Sequence, residues 1–247
     1  MIPLKDHNPT RSTPIVTILL ILACVVVYFG FQTQGDQTGF TYRRAAVPCE
    51  VVTGEPMTLE EISTSDCTRQ DTADPVFPDK SPVLAVLTSM FLHGGLLHLG
   101  GNMLYLWVFG NNIEDTKGRV TYLLFYLAAG VVATFAHVAL DPGSTIPLVG
   151  ASGAIAGVMG AYLVLFPRVQ IRTFIMMFLI LFRDIQARWL LGFWFVSQFF
   201  INPNEGVAWA AHVGGFVFGV LVGLVWRARG AGGRQPRPRY VAQPPYT

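Results

Sequence analysis

Long runs of apolar residues alternate with shorter polar segments along this chain. Six of the runs approach the roughly 20 residues that a helix needs to cross about 30 Å of hydrocarbon. The pattern predicts six membrane-spanning helices, at Pro14–Phe31, Leu96–Ile113, Val120–Leu140, Val149–Phe166, Ala187–Ile201 and Val207–Trp226. An even number of spans returns the chain to its starting side.

Two apolar runs need separate interpretation. The first follows Lys5 and Arg11, as the core of a secretory signal peptide does, but it is long, lacks a small-residue cleavage pattern and is followed by further runs. An uncleaved first span is therefore favoured over a signal peptide. The run Ile171–Phe182 is too short for a helix that crosses the bilayer, so we interpret it as interfacial or re-entrant.

The basic residues are distributed unevenly between the two sides. With the N-terminus inside, the inner segments hold 13 of the 17 Lys and Arg residues and the outer loops hold four, which satisfies the positive-inside rule. We expect residues 1–13 to form a cytosolic N-terminal tail, 14–226 a single membrane domain with an outer loop at 32–81, and 227–247 a disordered basic cytosolic tail. The arginines of this last tail could also contact anionic lipid.

Composition supports an all-α membrane protein. The chain is 52% apolar and only 13% charged, against about 25% charged in soluble domains, and its net charge of +2 gives no indication of nucleic acid binding. Within the outer loop, Cys49 and Cys67 could form a disulfide, and no CxxC metal pattern occurs. Val83–Leu92 is expected to form a short helix that roofs the bundle.

Polar groups inside lipid cost free energy and are candidates for function, and here they are few. Ser152 lies in Gly150-Ala151-Ser152-Gly153, at a transition from loop to helix. A serine at a helix N-terminus is close to unpaired backbone N–H groups that can stabilise an oxyanion. Simple capping of the helix by Ser152 is the alternative.

His212 shares one face of the sixth predicted span with three glycines. At 100° per residue, positions 212, 215, 219 and 223 form one stripe, and the fourth span carries a similar small-residue stripe at positions 153, 157 and 160. Such faces allow close approach of membrane helices. Their contact could bring the imidazole to the Ser152 hydroxyl, which needs a base to become a nucleophile. A structural histidine bonded to a carbonyl is the alternative.

His98 and Asn102 lie four residues apart, on one face near the outer end of the second span. Both side chains can donate hydrogen bonds, and with the backbone N–H of Ser152 they could form an oxyanion hole. A structural polar cluster is the alternative. His93 is assigned no chemical role and His137 is interpreted as structural. No acidic residue lies at the depth of His212, so the chemistry would use a Ser-His dyad.

These motifs resemble the rhomboid family of intramembrane serine proteases: GASG at 150–153, AHxxGxxxG at 211–219 and HxxxN at 98–102, in the family's order and on its expected spans. The resemblance covers about Val83–Trp226, and Pro14–Phe31 fits the first span. It implies a six-transmembrane-helix rhomboid bundle, with Ser152 as nucleophile and His212 as base. It also implies His98, Asn102 and the Ser152 amide as oxyanion donors, and a structural role for Glu114.

Two departures from the family pattern stand out. Some bacterial members have a tyrosine one turn after the serine, where it stacks on the catalytic histidine, but this chain has Ala156. His212 must therefore be positioned by another group. Some members also carry a Trp-Arg pair in the first outer loop, and the comparable stretch here is Tyr42-Arg43-Arg44.

The expected activity is cleavage of transmembrane protein substrates near the outer membrane face, without metal or cofactor. A helix-binding relative without activity would lack the serine or histidine, a transporter would show broken helices or internal repeats, and a zinc protease would need a motif such as HExxH. None of these features is evident. Compactness and the lack of an evident transit peptide favour a bacterial cytoplasmic membrane. The sequence leaves the substrate and oligomeric state open.

Overall fold

The computed structural model describes residues 1–68, 73–176, 180–202 and 208–231, which are mostly helical. The α-helices in this part of the chain are α1 (Ile15–Val27), α2 (Gln37–Arg44), α3 (Pro48–Thr53), α4 (Leu59–Thr64), α5 (Pro82–Thr88), α6 (Leu96–Lys117), α7 (Arg119–Leu140), α8 (Ser152–Leu165), α9 (Ala187–Ser197) and α10 (Trp209–Trp226). The strands are β1 (Ile2–Asp6), β2 (Gln170–Met176) and β3 (Ile180–Gln186). Short π or 3-10 turns extend four helices, at Tyr28–Gln32 after α1, Ser89–Phe91 after α5, Gln198–Phe200 after α9 and Arg227–Ala231 after α10.

Each of the six predicted spans contains a helix, which confirms a mostly helical fold but not the count of six spans. Among the described residues, three segments are long and apolar enough to cross a bilayer: Ile15–Gln32, Arg119–Leu140 and Trp209–Gly230. A fourth is added if α5 with its 3-10 turn and α6, which meet at 81°, count as one broken span. Helices α8 and α9 have only 14 and 11 residues. The chain is an integral membrane protein with three or four spans by these criteria.

Helix α8 forms the centre of the bundle. Eleven of its fourteen residues are buried, and it packs against α6, α7, α9 and α10. A helix that is apolar on all sides is expected in a core rather than at a surface. Burial on every side means that the position of Ser152, its first residue, is determined by the surrounding helices.

Glycines bring the backbones of α8 and α10 into direct contact. A Cβ atom added to Gly219 would overlap the carbonyl oxygen of Gly157, and one added to Gly215 would overlap that of Gly153. The predicted contact between the two small-residue faces is therefore confirmed. It explains why these positions lack side chains.

The short helix expected at Val83–Leu92 as a roof is present as α5 (Pro82–Thr88) and its 3-10 turn (Ser89–Phe91). Cys49 and Cys67, whose pairing the sequence left open, are joined by a disulfide. The outer loop is not irregular throughout, because it contains α2, α3 and α4. It is anchored to the α7–α8 connection by hydrogen bonds between Leu148 and Ala46 (2.7 Å) and from the Cys49 N–H to the Ser144 carbonyl (3.0 Å).

The prediction of an all-α fold is wrong for one part of the chain. Strands β1, β2 and β3 form an antiparallel sheet in that order. Ile171 and Thr173 in β2 are buried, whereas the flanking Gln170 and Arg172 are exposed, which is the period of two expected of a strand. The predicted interfacial or re-entrant run is thus a β-hairpin over its described residues. Residues 177–179, and residues 232–247 of the predicted disordered tail, lie outside the described part.

The N-terminal strand is joined to the bundle by buried polar contacts. Asp6 accepts hydrogen bonds from the Tyr162 hydroxyl (2.8 Å) and from the Asn112 amide (2.6 Å), which in turn accepts one from Asn8 (2.5 Å). Burial raises the pKa of the Asp6 carboxyl to about 6, although these hydrogen bonds favour its charged form. Residues 1–13 are therefore partly integrated into the fold.

Glu114 has the structural role that the resemblance implied. Its carboxylate accepts hydrogen bonds from the backbone N–H groups of Val16 (2.9 Å) and Thr17 (2.8 Å) and from the Thr17 hydroxyl (2.8 Å). The first N–H groups of a helix have no partner within the helix. Glu114, itself buried, supplies partners for two of these groups at the start of α1.

Candidate active site

Ser152 and His212 lie together at one end of the contact between α8 and α10. Ser152 is the first residue of α8, and His212 lies within the first turn of α10. His212 Nε2 is 2.8 Å from Ser152 Oγ, a hydrogen-bonding distance. The structure thus brings together the two residues that the sequence predicted as nucleophile and base.

Gly150 allows the backbone conformation of the loop that precedes Ser152. Its φ of +122° lies in a region that favours glycine, and its N–H donates to the Ser89 carbonyl at 3.0 Å. A Cβ atom at this position would lie 2.9 Å from His98 Nε2 and 3.5 Å from Asn102 Nδ2. The absence of a side chain therefore leaves space for these two groups beside the serine loop.

His98 and Asn102 present hydrogen-bond donors to this space. His98 Nδ1 accepts a hydrogen bond from the Gly94 N–H at 3.2 Å, so in the neutral ring the proton is on Nε2, the nitrogen that approaches Gly150. The side-chain nitrogen of Asn102 is buried and has no hydrogen-bond partner among the described residues. A buried donor without a partner is costly unless a ligand or water supplies an acceptor.

Gln198 contacts His212 and was missed in the sequence analysis. Its Oε1 atom lies 2.7 Å from His212 Nδ1, on the side of the imidazole away from Ser152. It begins the 3-10 turn after α9 and is buried. A polar amide within a predicted apolar span is a signal of a functional residue, but Gln198 belongs to none of the histidine, serine and asparagine motifs of this sequence.

The remaining histidines lie outside this hydrogen-bonded set. His93 is fully buried and its ring is 5.3 Å from that of His98, while its backbone exchanges hydrogen bonds with the Gln32 side chain at 2.7 and 3.0 Å. These contacts join the end of α1 to the roof. His137 Nδ1 has no hydrogen-bond partner in the described structure, and its predicted structural role stays a prediction.

An aromatic ring does lie close to His212, but it comes from a different helix than the one that the family pattern suggested. Ala156, at the position of the expected tyrosine, is fully buried in α8. The Trp194 ring of α9 lies 5.8 Å from the His212 ring, at an interplanar angle of 41°. Helix α9 therefore supplies the aromatic neighbour of the imidazole, and the turn that follows α9 supplies the amide.

Comparisons with known proteins agree on one family. The sequence profile of the Rhomboid domain matches residues 80–229. The chain is 44% identical over 78 residues to the Rhomboid protease GluP of Bacillus subtilis, covering 32% of this chain and 15% of that protein. It is 31% identical over 163 residues to the Presenilin-associated rhomboid-like protein A, mitochondrial, of Danio rerio (61% and 40% covered). It is also 28% identical over 149 residues to the Rhomboid protein 1, mitochondrial, of Saccharomyces cerevisiae (57% and 41% covered). The aligned regions thus span less than half of each relative.

Proposed function

The chain belongs to the rhomboid family, and from this membership we propose that it is an intramembrane serine endopeptidase that cleaves transmembrane segments of membrane proteins. The observation that carries the proposal is the 2.8 Å contact between Ser152 Oγ and His212 Nε2. A serine hydroxyl is a weak nucleophile until a base accepts its proton, and this contact supplies the base. The name of one relative, the Rhomboid protease GluP of Bacillus subtilis, states a protease activity, which agrees with this proposal.

The reaction proceeds through an acyl-enzyme. Ser152 Oγ attacks the scissile carbonyl as His212 Nε2 accepts the hydroxyl proton, and the imidazolium then gives this proton to the leaving amine. Water enters, His212 accepts one of its protons, and the resulting hydroxide attacks the ester and releases the acid. The proton returns to Ser152 Oγ, which restores the starting state.

Three donors stabilise the tetrahedral oxyanion. They are the backbone N–H of Ser152 in the first turn of α8, His98 Nε2–H and Asn102 Nδ2–H. The Asn102 nitrogen has no hydrogen-bond partner in the described part of the chain, and His98 and Asn102 both lie close to Gly150, which supports this assignment. In a site shielded from water, each such donor typically contributes about 100- to 1000-fold to kcat.

We infer the membrane arrangement from the distribution of basic residues along the chain. We assign six spans, with 14–226 as the membrane domain and both termini in the cytosol, because 13 of 17 basic residues then lie inside. Ser152 and His212 then lie near the outer face, and a substrate helix must unwind there to expose a peptide bond. The bacterial cytoplasmic membrane is the proposed location, with a mitochondrial membrane as the alternative suggested by the names of two relatives.

Fluorophosphonate labelling combined with cleavage of a model transmembrane substrate tests the activity. Purified wild-type protein should be labelled and should cleave, whereas Ser152→Ala should do neither and His212→Ala should lose about 1000-fold or more in kcat. Ser63→Ala is a matched control, because Ser63 is exposed on α4 and its hydroxyl donates to the Glu60 carbonyl of the same helix. Cleavage by pure Ser152→Ala protein would refute the assignment, and an unreactive wild type in several lipids would favour a protein that binds helices without cutting them.

A further inference from the structure

We propose that Gln198 is a positioning residue that holds His212 in the tautomer and orientation needed for a base. The inference rests on the proposed function and deepens it. Gln198 is 4% exposed, and its side-chain oxygen lies 2.7 Å from His212 Nδ1. The imidazole thus lies between Gln198 on one side and Ser152 on the other.

The orientation of the Gln198 amide follows from its second contact. Its Nε2 atom lies 2.9 Å from the Trp194 carbonyl oxygen and 3.3 Å from Ser197 Oγ. Rotating the amide by 180° would place two oxygens, neither of them a donor, 2.9 Å apart. The NH₂ group therefore faces the Trp194 carbonyl, and the oxygen faces His212.

An oxygen acceptor at Nδ1 determines where the imidazole carries its proton. Because Gln198 Oε1 can only accept, His212 Nδ1 must donate, which leaves the Nε2 lone pair of the neutral ring free for the Ser152 hydroxyl. In serine protease triads a carboxylate performs this task. Here a neutral amide does so, which agrees with the lack of a carboxylate bonded to His212 among the described residues.

Gln198 also explains how His212 is held although Ala156 replaces the stacking tyrosine. The Trp194 carbonyl positions the amide, the amide positions Nδ1, and the Trp194 ring lies beside the imidazole. The end of α9 and the 3-10 turn that follows it thus provide the support for the base. A purely structural Gln198 that caps α9 would affect folding but not the tautomer of His212.

The test compares Gln198→Met with Gln198→Glu and the wild type. Met has a similar volume but lacks a strong acceptor, so we expect the base to be misplaced and kcat to fall about 100-fold with KM nearly unchanged. The ¹⁵N NMR signals of His212 should show loss of the Nδ1–H form. Gln198→Glu in its protonated form keeps both contacts, because one oxygen can accept from Nδ1 while the O–H donates to the Trp194 carbonyl, and this variant should retain more activity than Gln198→Met.

Gly192→Ala is the matched control. Gly192 also lies in α9, and a Cβ atom added there would have no described atom within 4 Å, so this substitution should leave kcat and the His212 signals near wild type. If Gln198→Met matches the wild type in kcat and ¹⁵N signals, the inference is overturned. Should Gln198→Met fail to fold, Gln198→Glu decides. A Gln198→Glu variant with kcat and a His212 Nδ1–H signal near those of the wild type supports the inference. A folded Gln198→Glu variant that has lost activity without any change in the His212 signals overturns it.

The two proposals fail differently. An inactive, unlabelled wild type removes the proposed function. An active wild type with an inactive Ser152→Ala variant, together with a fully active Gln198→Met variant, removes only the role of Gln198.

Discussion

Gly219→Ala tests whether the contact between α8 and α10 aligns the site. The new Cβ would lie 2.7 and 2.8 Å from the backbone carbon and Cα of Gly157 and would overlap its carbonyl oxygen. Ordinary carbon contacts are about 3.5–4 Å, and these neighbours are backbone atoms that cannot rotate away. The helices must therefore separate by roughly 1 Å.

This separation reaches the chemistry because His212 lies two turns before Gly219 on the same face of α10. A displacement of about 1 Å at reacting groups can cost around 100-fold in rate, and overpacking of a core typically costs about 1–3 kcal/mol of stability. We expect Gly219→Ala to lose about 100-fold in kcat and in the rate of fluorophosphonate labelling, with a lower thermal midpoint.

Two further glycines provide a graded series. At Gly223 the added Cβ would lie 3.0 Å from Val164 Cβ and 3.1 Å from Ala161 Cα, so a few tenths of an ångström suffice and the effect should be smaller. At Gly192 in α9 no atom of the described residues would lie within 4 Å of the added Cβ, so Gly192→Ala should match the wild type or be slightly more stable. A Gly219→Ala protein with wild-type kcat and thermal midpoint would refute the reasoning.

Further predictions concern the parts that support the site. The pKa of Asp6, about 6 when folded against about 4 when unfolded, means that its contribution to stability is full below about pH 4 and is lost as pH rises through 6. The thermal midpoint of Asp6→Asn relative to wild type should therefore rise over this window, by the equivalent of up to about 3 kcal/mol, and a constant difference would contradict the assigned burial. Replacing Cys49 and Cys67 by serine opens a disulfide with a sequence separation of 18 and should cost about 3 kcal/mol. The thermal midpoint should fall while kcat persists; a midpoint equal to that of the wild type would show that the crosslink contributes little. Glu114→Ala leaves the first N–H groups of α1 without their acceptor and should cost about 2 kcal/mol or more, measured as a lower thermal midpoint with fluorophosphonate labelling retained at low temperature. Alkaline phosphatase and fluorescent-protein fusions at both termini should report cytosolic ends, and a periplasmic C-terminus together with a cytosolic N-terminus would exclude six spans.

Local patterns explain what could be predicted along the chain. Apolar runs give the positions of the helices, because each helix forms its own backbone hydrogen bonds. The glycine stripes gave the α8–α10 contact, because helical periodicity places residues three or four apart on one face. The polar positions Ser152, His212, His98 and Asn102 could be selected because polar groups within apolar spans are few.

Long-range partners explain what could not. The sheet was missed because β1 pairs with β2 across more than 160 residues, and the hairpin's apolar composition masked its alternation. The pairing of Cys49 with Cys67 stayed one option until the loop helices placed the two sulfurs together.

The sequence by itself determined the membrane character, the helix positions and the polar residues from which the candidate site is built, because these depend on local composition and periodicity. Only the tertiary structure decided which groups meet. The hydroxyl of Ser152 and the amide of Gln198 reach opposite nitrogens of His212 because backbone contact between α8 and α10, and the turn that ends α9, place them there.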